Sequence, residues 1–251
     1  MKRLVFLSIL CFVIGAFLSG PGYAGWAPGT GIKGTSHDLT RAGGKGSIYN
    51  NDDALDRLCV FCHAPHHTYR PDVNGGGLDY YPLWNHDITT QNYTPYDNGL
   101  MAAIGDQSHQ FNGQDTWGTG QPGGVSRLCL SCHDGTVAVN AYGNFAYSLT
   151  RGAGDKYINA ANNRFWIGEG GDLRNHHPIG FNYADVASKD DEIAPPSAPM
   201  GTTGYTISQL LWNGKMECTT CHDVHNTKNQ GEKFTWVQDI NSQFCFQCHL
   251  K

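Results

Sequence analysis

Eight of the nine cysteines fall into four units of one design: Cys59-Val60-Phe61-Cys62-His63, Cys129-Leu130-Ser131-Cys132-His133, Cys218-Thr219-Thr220-Cys221-His222 and Cys245-Phe246-Gln247-Cys248-His249. The ninth, Cys11, lies in an apolar N-terminal run. Eight cysteines in an exported chain would by default pair as disulfides, but this spacing argues otherwise. Zinc ribbons and redox-active C-x-x-C pairs are indifferent to the residue that follows, whereas all four units here carry His at that position. C-x-x-C-H is the attachment pattern of c-type haem. The two thiols add across the two vinyl groups of one macrocycle, and the adjacent imidazole ligates the iron. The expected cofactors are therefore four covalent haems c, held through Cys59, Cys62, Cys129, Cys132, Cys218, Cys221, Cys245 and Cys248. His63, His133, His222 and His249 are the expected proximal iron ligands.

The N-terminus supplies the compartment that this chemistry needs. Lys2 and Arg3 precede an apolar run from Leu4 to about Leu18, and Gly22-Tyr23-Ala24 offers small residues where a signal peptidase reads. A membrane anchor would need about 20 apolar residues, more than this run has. Residues 1–24 are expected to be a removed signal peptide and residues 25–251 a single secreted domain.

The remainder is poor in the signals of an ordinary fold. The chain has 32 glycines in 251 residues, nearly double the usual share of about 7%. It is also 12% aromatic with a formal net charge of only -5, which does not suit a disordered chain. No long 3.6-residue periodicity runs anywhere. The expected fold is mostly irregular, with short helices and a few short strands wrapped around a row of four haems, whose macrocycles and covalent staples replace an aliphatic core. Asn51-Asp52-Asp53, Ser126 and Ser242 are read as caps of short helices entering the first, second and fourth motifs. Leu210 to Met216 reads as a hairpin with an Asn213-Gly214 turn, delivering Cys218. Gly75 to Gly77, Gly118 to Gly124 and Ala194 to Pro199 read as loops. No Lys/Arg cluster exists beyond the N-terminus, so nucleic acid is not an expected partner.

The remaining histidines suggest a weak internal repeat. His66 and His225 each follow a motif His by three residues, and His37 and His177 each precede an odd-numbered motif. Two units, about 30–142 and 170–251, therefore run head to tail. His37, His66, His177 and His225 are the expected distal iron ligands. A His three residues beyond a proximal one emerges on the same side of its own haem and is better placed to serve a neighbour. On that logic His37 serves the first haem, His225 the second and His177 the third. His66 either serves a haem lying before the first one, caps a loop or serves some other internal haem, and His86 is its rival as a distal ligand. His67, His109 and His176 read as surface residues or as partners of ligands. Asp38, Asp134 and Asp223 read as solvated loop acids, with acceptance of an imidazole N–H as the alternative.

His37-Asp38, the Cys59 to His66 unit, Leu128 to Asp134, His177-Pro178-Ile179-Gly180, Asn213 to His225 and the end just after His249 together resemble one family. It is the polymerising outer-surface c-type cytochromes of metal-reducing bacteria, the tetrahaem OmcE type in particular. The resemblance implies an extracellular filament of head-to-tail copies of the chain, with bis-His iron throughout. It implies that His66 crosses to the haem of Cys245, Cys248 and His249 in the adjacent subunit. It further implies outer-membrane or periplasmic cytochromes as electron donors and extracellular acceptors. The expected role is long-range electron transfer without catalysis, since bis-His ligation closes both axial positions. Two alternatives remain: a monomeric periplasmic tetrahaem carrier with His86 as the missing ligand, and a haem enzyme, which would need an open iron and which four uniform motifs disfavour.

Overall fold

A computed structural model describes residues 27–40, 56–64, 83–96, 124–143, 156–159 and 165–251. The signal sequence, the Asn51 to Asp53 cap and the Gly75 to Gly77 loop lie outside the described residues, as do His66, His67 and His109.

Most of the described chain is turn and irregular structure, as its composition suggests. Four short α-helices occur among the described residues: α1 (Gly124–His133), α2 (Tyr183–Ala187), α3 (Ile207–Leu210) and α4 (Cys218–Cys221). Two two-residue strands, β1 (Thr94–Pro95) and β2 (Asp172–Leu173), pair in parallel. Among the described residues no helix is long and apolar enough to cross a membrane.

The local chemistry of the short elements is legible. Asn182 caps α2, its Oδ1 accepting from the N–H groups of Ala184 and Asp185 at 3.0 and 3.3 Å. This capping turns Tyr183 and Val186, three residues apart, to the same buried side. They join Phe181, Ala194, Met200, Ile207, Met216 and Val237 in the larger of two apolar clusters. The smaller consists of Tyr93, Leu130 and Leu173 and sits where the strand pair meets α1. The Asn213-Gly214 turn forms, with φ of 49° and 80°. Trp212 and Lys215 exchange backbone hydrogen bonds across it at 2.9 and 3.1 Å. The primed turn matches the twist of the two flanking segments. Met216 then pairs with Gly180 and Phe181, which sets the entry of α4.

Two expected caps are not caps. Ser126 lies inside α1, where its hydroxyl turns across to Glu217 and its neighbours. Ser242 ends a 3-10 turn, Ile240–Ser242, in a left-handed conformation, and Phe244 precedes the turn Cys245–Gln247 instead. The Ser126 hydroxyl has a nonlocal partner, and Ser242 has a left-handed backbone, neither of which local pattern encodes.

Candidate functional site

Each attachment motif closes as one helical turn. The backbone N–H of His63 donates to Cys59 O at 2.8 Å, His222 to Cys218 O at 3.0 Å and His249 to Cys245 O at 3.0 Å. In the second motif α1 itself supplies the turn. Residues three and four apart lie on one helix face, so both thiols and the imidazole of each motif are presented together. All eight thiols are free.

A second layer of backbone pairing fixes each motif. Ala64 N–H donates to Leu83 O and Asn85 N–H to Cys62 O, locking the first. Asp223 with Phe234 and Trp236 with Cys221 lock the third, while Ala194 with Cys248 and Leu250 with Glu192 lock the fourth. For the second, Ile167 N–H donates to His133 O at 2.9 Å. These partners lie far away in sequence and could not be foreseen from the motifs.

The motifs are neighbours in chain order. Burial first, then Cys132 of the next motif, pushes the Cys62 thiol up to about 12. The thiols of Cys129 and Cys218 hydrogen-bond, which holds Cys129 well up and Cys218 down. Burial followed by Cys248 lifts Cys221 to about 12. Helix α1 also packs on α4. Only Cys59 and Cys245, in the first and last motifs, are exposed.

Imidazoles oppose one another in three pairs, each joining a motif His to one of the other histidines. His37 faces His133 with ring centres 6.2 Å apart, His225 faces His63 at 6.1 Å, and His177 faces His249 at 6.4 Å. This order differs from the sequence expectation, which set His37 over the first motif, His225 over the second and His177 over the third. The reason is long-range: the Asn226 side-chain amide donates to the carbonyls of Ala27 and Gly31, and Gly31 N–H donates to the Asn226 carbonyl, bringing His37 beside the third motif and its neighbours. His37 stacks on Phe234 at 4.9 Å. Burial first, then His133, His222 and His225, drives it down to about 3, so its ring is neutral.

The ring geometry fits a haem iron. Two metal–nitrogen bonds of about 2 Å, each followed by the roughly 1.1 Å from nitrogen to ring centre, put opposed ring centres roughly 6.2 Å apart. Hydrogen bonds set the tautomers as well. Nδ1–H of His133 donates to Phe165 O at 2.7 Å, His222 to Lys233 O at 2.9 Å and His177 to Pro178 O at 2.9 Å. Carbonyls only accept, so Nδ1 holds the proton and Nε2 keeps its lone pair for a metal. His37 Nδ1 is buried without a hydrogen-bond partner. Among the described residues no cluster of three or more His, Cys, Asp or Glu side chains is arranged for a bare metal ion.

His86 is differently placed. It is 2% exposed, its Nδ1 lies 2.7 Å from Asp87 O, and its Nε2 lies 3.0 Å from Ala138 O and 3.4 Å from the Cys132 sulfur. Both nitrogens lie against main-chain carbonyls and the Cys132 sulfur, so the ring braces the second motif and opposes none of the motif imidazoles.

The three acids after His37, His133 and His222 are neither solvated nor bonded to imidazole. Asp38, Asp134 and Asp223 are all buried. Asp38 accepts from Gly34 N–H at 2.7 Å and from the Thr40 hydroxyl at 2.6 Å. Asp134 accepts from the hydroxyls of Thr89 and Tyr93 at 2.6 and 2.5 Å and from Thr136 N–H at 2.8 Å. Asp223 accepts from the N–H groups of Thr227, Lys228 and His225 at 2.7, 2.9 and 3.2 Å. Each carboxylate folds the turn next to a histidine and so aims the ring. The available signal was a Thr two or four residues after each Asp, the mark of a side chain that satisfies its own loop.

The family model of the doubled CXXCH motif matches residues 213–251. No curated protein matches the chain. The match points to covalent haem c and to electron transfer, on the segment that carries the third and fourth motifs.

Proposed function

We propose that the chain is a secreted tetrahaem c-type cytochrome carrying respiratory electrons to external acceptors through a head-to-tail filament of its own copies at the cell surface. Bound haem supplies a one-electron ferric/ferrous couple. Each C-x-x-C-H turn would hold a macrocycle through two thioethers and one imidazole, with a second histidine as its other ligand. That would leave no position for a substrate and make the protein a conduit rather than an enzyme.

The observation that carries the reading is the succession of thiols, Cys62 by Cys132, Cys129 by Cys218 and Cys221 by Cys248. It supports four haems in a continuous row, with the exposed Cys59 and Cys245 at its two ends. The opposed rings support His225 as distal ligand of the first haem, His37 of the second and His177 of the fourth. The third haem, held by His222, is then the one that takes His66. In the filament reading this ligand comes from the neighbouring subunit, and the crossing bond lands on the third haem instead of the fourth. A head-to-tail contact that does not close on itself generates an open helical filament, and a coordinate bond across it would resist dissociation. Outer-membrane or periplasmic cytochromes would be the donors.

Intact-mass measurement and electron microscopy of the holoprotein taken from the cell surface without denaturant test this reading. The expected result is four haems per chain in long filaments with one continuous haem row. Dispersed single copies carrying four haems would instead establish a monomeric periplasmic carrier. A smaller haem count would overturn the tetrahaem reading itself.

A further inference from the structure

One buried acid lies at the junction of the second and third motifs and has no part in attaching or ligating a haem. Glu217 is 2% exposed and immediately precedes Cys218. It hydrogen-bonds the Ser126 hydroxyl through Oε2, and the Ser126 backbone N–H also donates to it. Ser126 is in the first turn of α1, so this carboxyl caps from outside the helix that carries Cys129 and Cys132. The same Ser126 oxygen accepts from Cys218 N–H at 3.0 Å. A Cβ on Gly124, the first residue of α1, would lie only 3.2 Å from Glu217 Oε1, which shows how closely the carboxyl abuts the helix end. One side chain thus ties the two attachment turns together, beside two thiols that hydrogen-bond each other.

An ionised carboxylate has about four lone-pair sites to satisfy. Here it meets the Ser126 hydroxyl and the backbone N–H groups of Ser126 and Thr220, fewer donors than it has lone pairs, in a site closed to water. The groups facing it are few: Ser126 and Cys129 from α1, Trp212 from the hairpin, and Lys215 and Cys218 from its own segment. In the loaded protein both cysteines are thioethers, which leaves Lys215 as the charged neighbour. Burial outweighs the donors and lifts the carboxyl to about 8.

We propose that Glu217 is a redox-linked proton site: it binds one proton as an electron arrives on the second or third haem and releases it when that electron leaves. This rests on the haem reading of those two motifs. The balance is one electron from a one-electron donor onto ferric iron and one proton from water onto a Glu217 oxygen. Both are returned on reoxidation. The negative charge gained by a nearby iron favours the neutral carboxyl, and by linkage the proton favours the reduced iron.

The test is spectroelectrochemical titration of the holoprotein from about pH 6 to about pH 10, for the natural chain and Glu217→Gln, with redox-difference infrared spectra of the carboxyl C=O stretch. Midpoint potentials of the coupled haems should fall as pH rises, by at most a tenfold change in the reduction equilibrium per pH unit. Glu217→Gln should flatten that slope and remove a carboxyl band that appears on reduction. Ser126→Ala, which withdraws a donor from the carboxylate, should move the sloping region to higher pH. It serves as the second variant if Glu217→Gln fails to fold. Potentials that are flat with pH, a slope that survives Glu217→Gln, or a region unmoved by Ser126→Ala would overturn the proposal while leaving the haem reading intact. Absence of covalent haem at Cys129 and Cys218 would overturn both.

Discussion

At the residue scale, the function depends on which nitrogen of each ring is free, and that is decided by atoms outside the motifs. Nδ1 of His133 and His222 is spoken for by the carbonyls of Phe165 and Lys233, so Nε2 points to the metal side. His37 and His86 make the contrast: His37 is half-buried and His86 fully buried, but only His37 opposes a motif imidazole. Replacing His37 with Ala should therefore convert one iron per chain from low to high spin, visible in the electron paramagnetic resonance spectrum. His86→Ala should leave the spin state unchanged. In a chain lacking the second haem, His37→Ala should add no high-spin signal, and a signal there would move His37 to another iron. Glu217 makes a second residue-scale prediction through its proton. Its carboxyl binds a proton to about 8 when folded, against 4.5 for the ordinary group. Between those values the folded state holds more protons than the unfolded, so stability falls as pH rises through the interval. Chemical denaturation of the natural chain should show that decline, and Glu217→Gln should remove its part of it.

At the element scale, short helices of four to ten residues cannot stand by propensity alone. Helix α2 is capped by its own Asn182, but the ends of α1 are set by partners from elsewhere. Helix α1 begins against Glu217 and stops at Gly135, whose φ is +78°. A Cβ there would sit 2.5 Å from Ile158 O and 2.9 Å from Trp166 Nε1, the nitrogen that donates to Asp134 O. Gly135→Ala thus combines a left-handed backbone with a clash against main chain. It should cost about 2–4 kcal/mol in a denaturant titration, with loss of order centred on the second motif. The Asn213-Gly214 turn and the four attachment turns were legible in the sequence because their residue types are demanded by local geometry. The caps read at Ser126 and Ser242 were not, because each residue answers to the fold around it rather than to its own neighbours. The buried acids Asp38, Asp134 and Asp223 follow the same rule. Their loop-forming side chains could be read, but their burial comes from packing.

At the scale of the whole molecule, the mostly irregular fold could be anticipated, since so little of the chain is periodic and so much is glycine. The order of the histidines could not. Spacing along the chain places His37 just before the first motif, yet hydrogen bonds from Asn226 to Ala27 and Gly31 draw that segment across to the far half. Opposed imidazoles therefore come from segments up to 162 positions apart, as for His63 and His225. Such crossing makes each pair a clasp between distant parts of the chain, so haem loading and folding should be one event. Removing the two thiols of a motif tests the row directly. Cys129→Ala with Cys132→Ala deletes the second haem and opens a gap between the first and third, where no other motif can substitute. Intact mass should show three haems, and electron exchange along the molecule, followed by protein-film voltammetry, should fall by orders of magnitude. The same change at Cys245 and Cys248 also leaves three haems, but they remain contiguous. Exchange among them should persist while transfer to the next copy is lost. Equal effects from the two deletions would mean that the motifs do not act in series, and the proposed conduit would fail at its central premise.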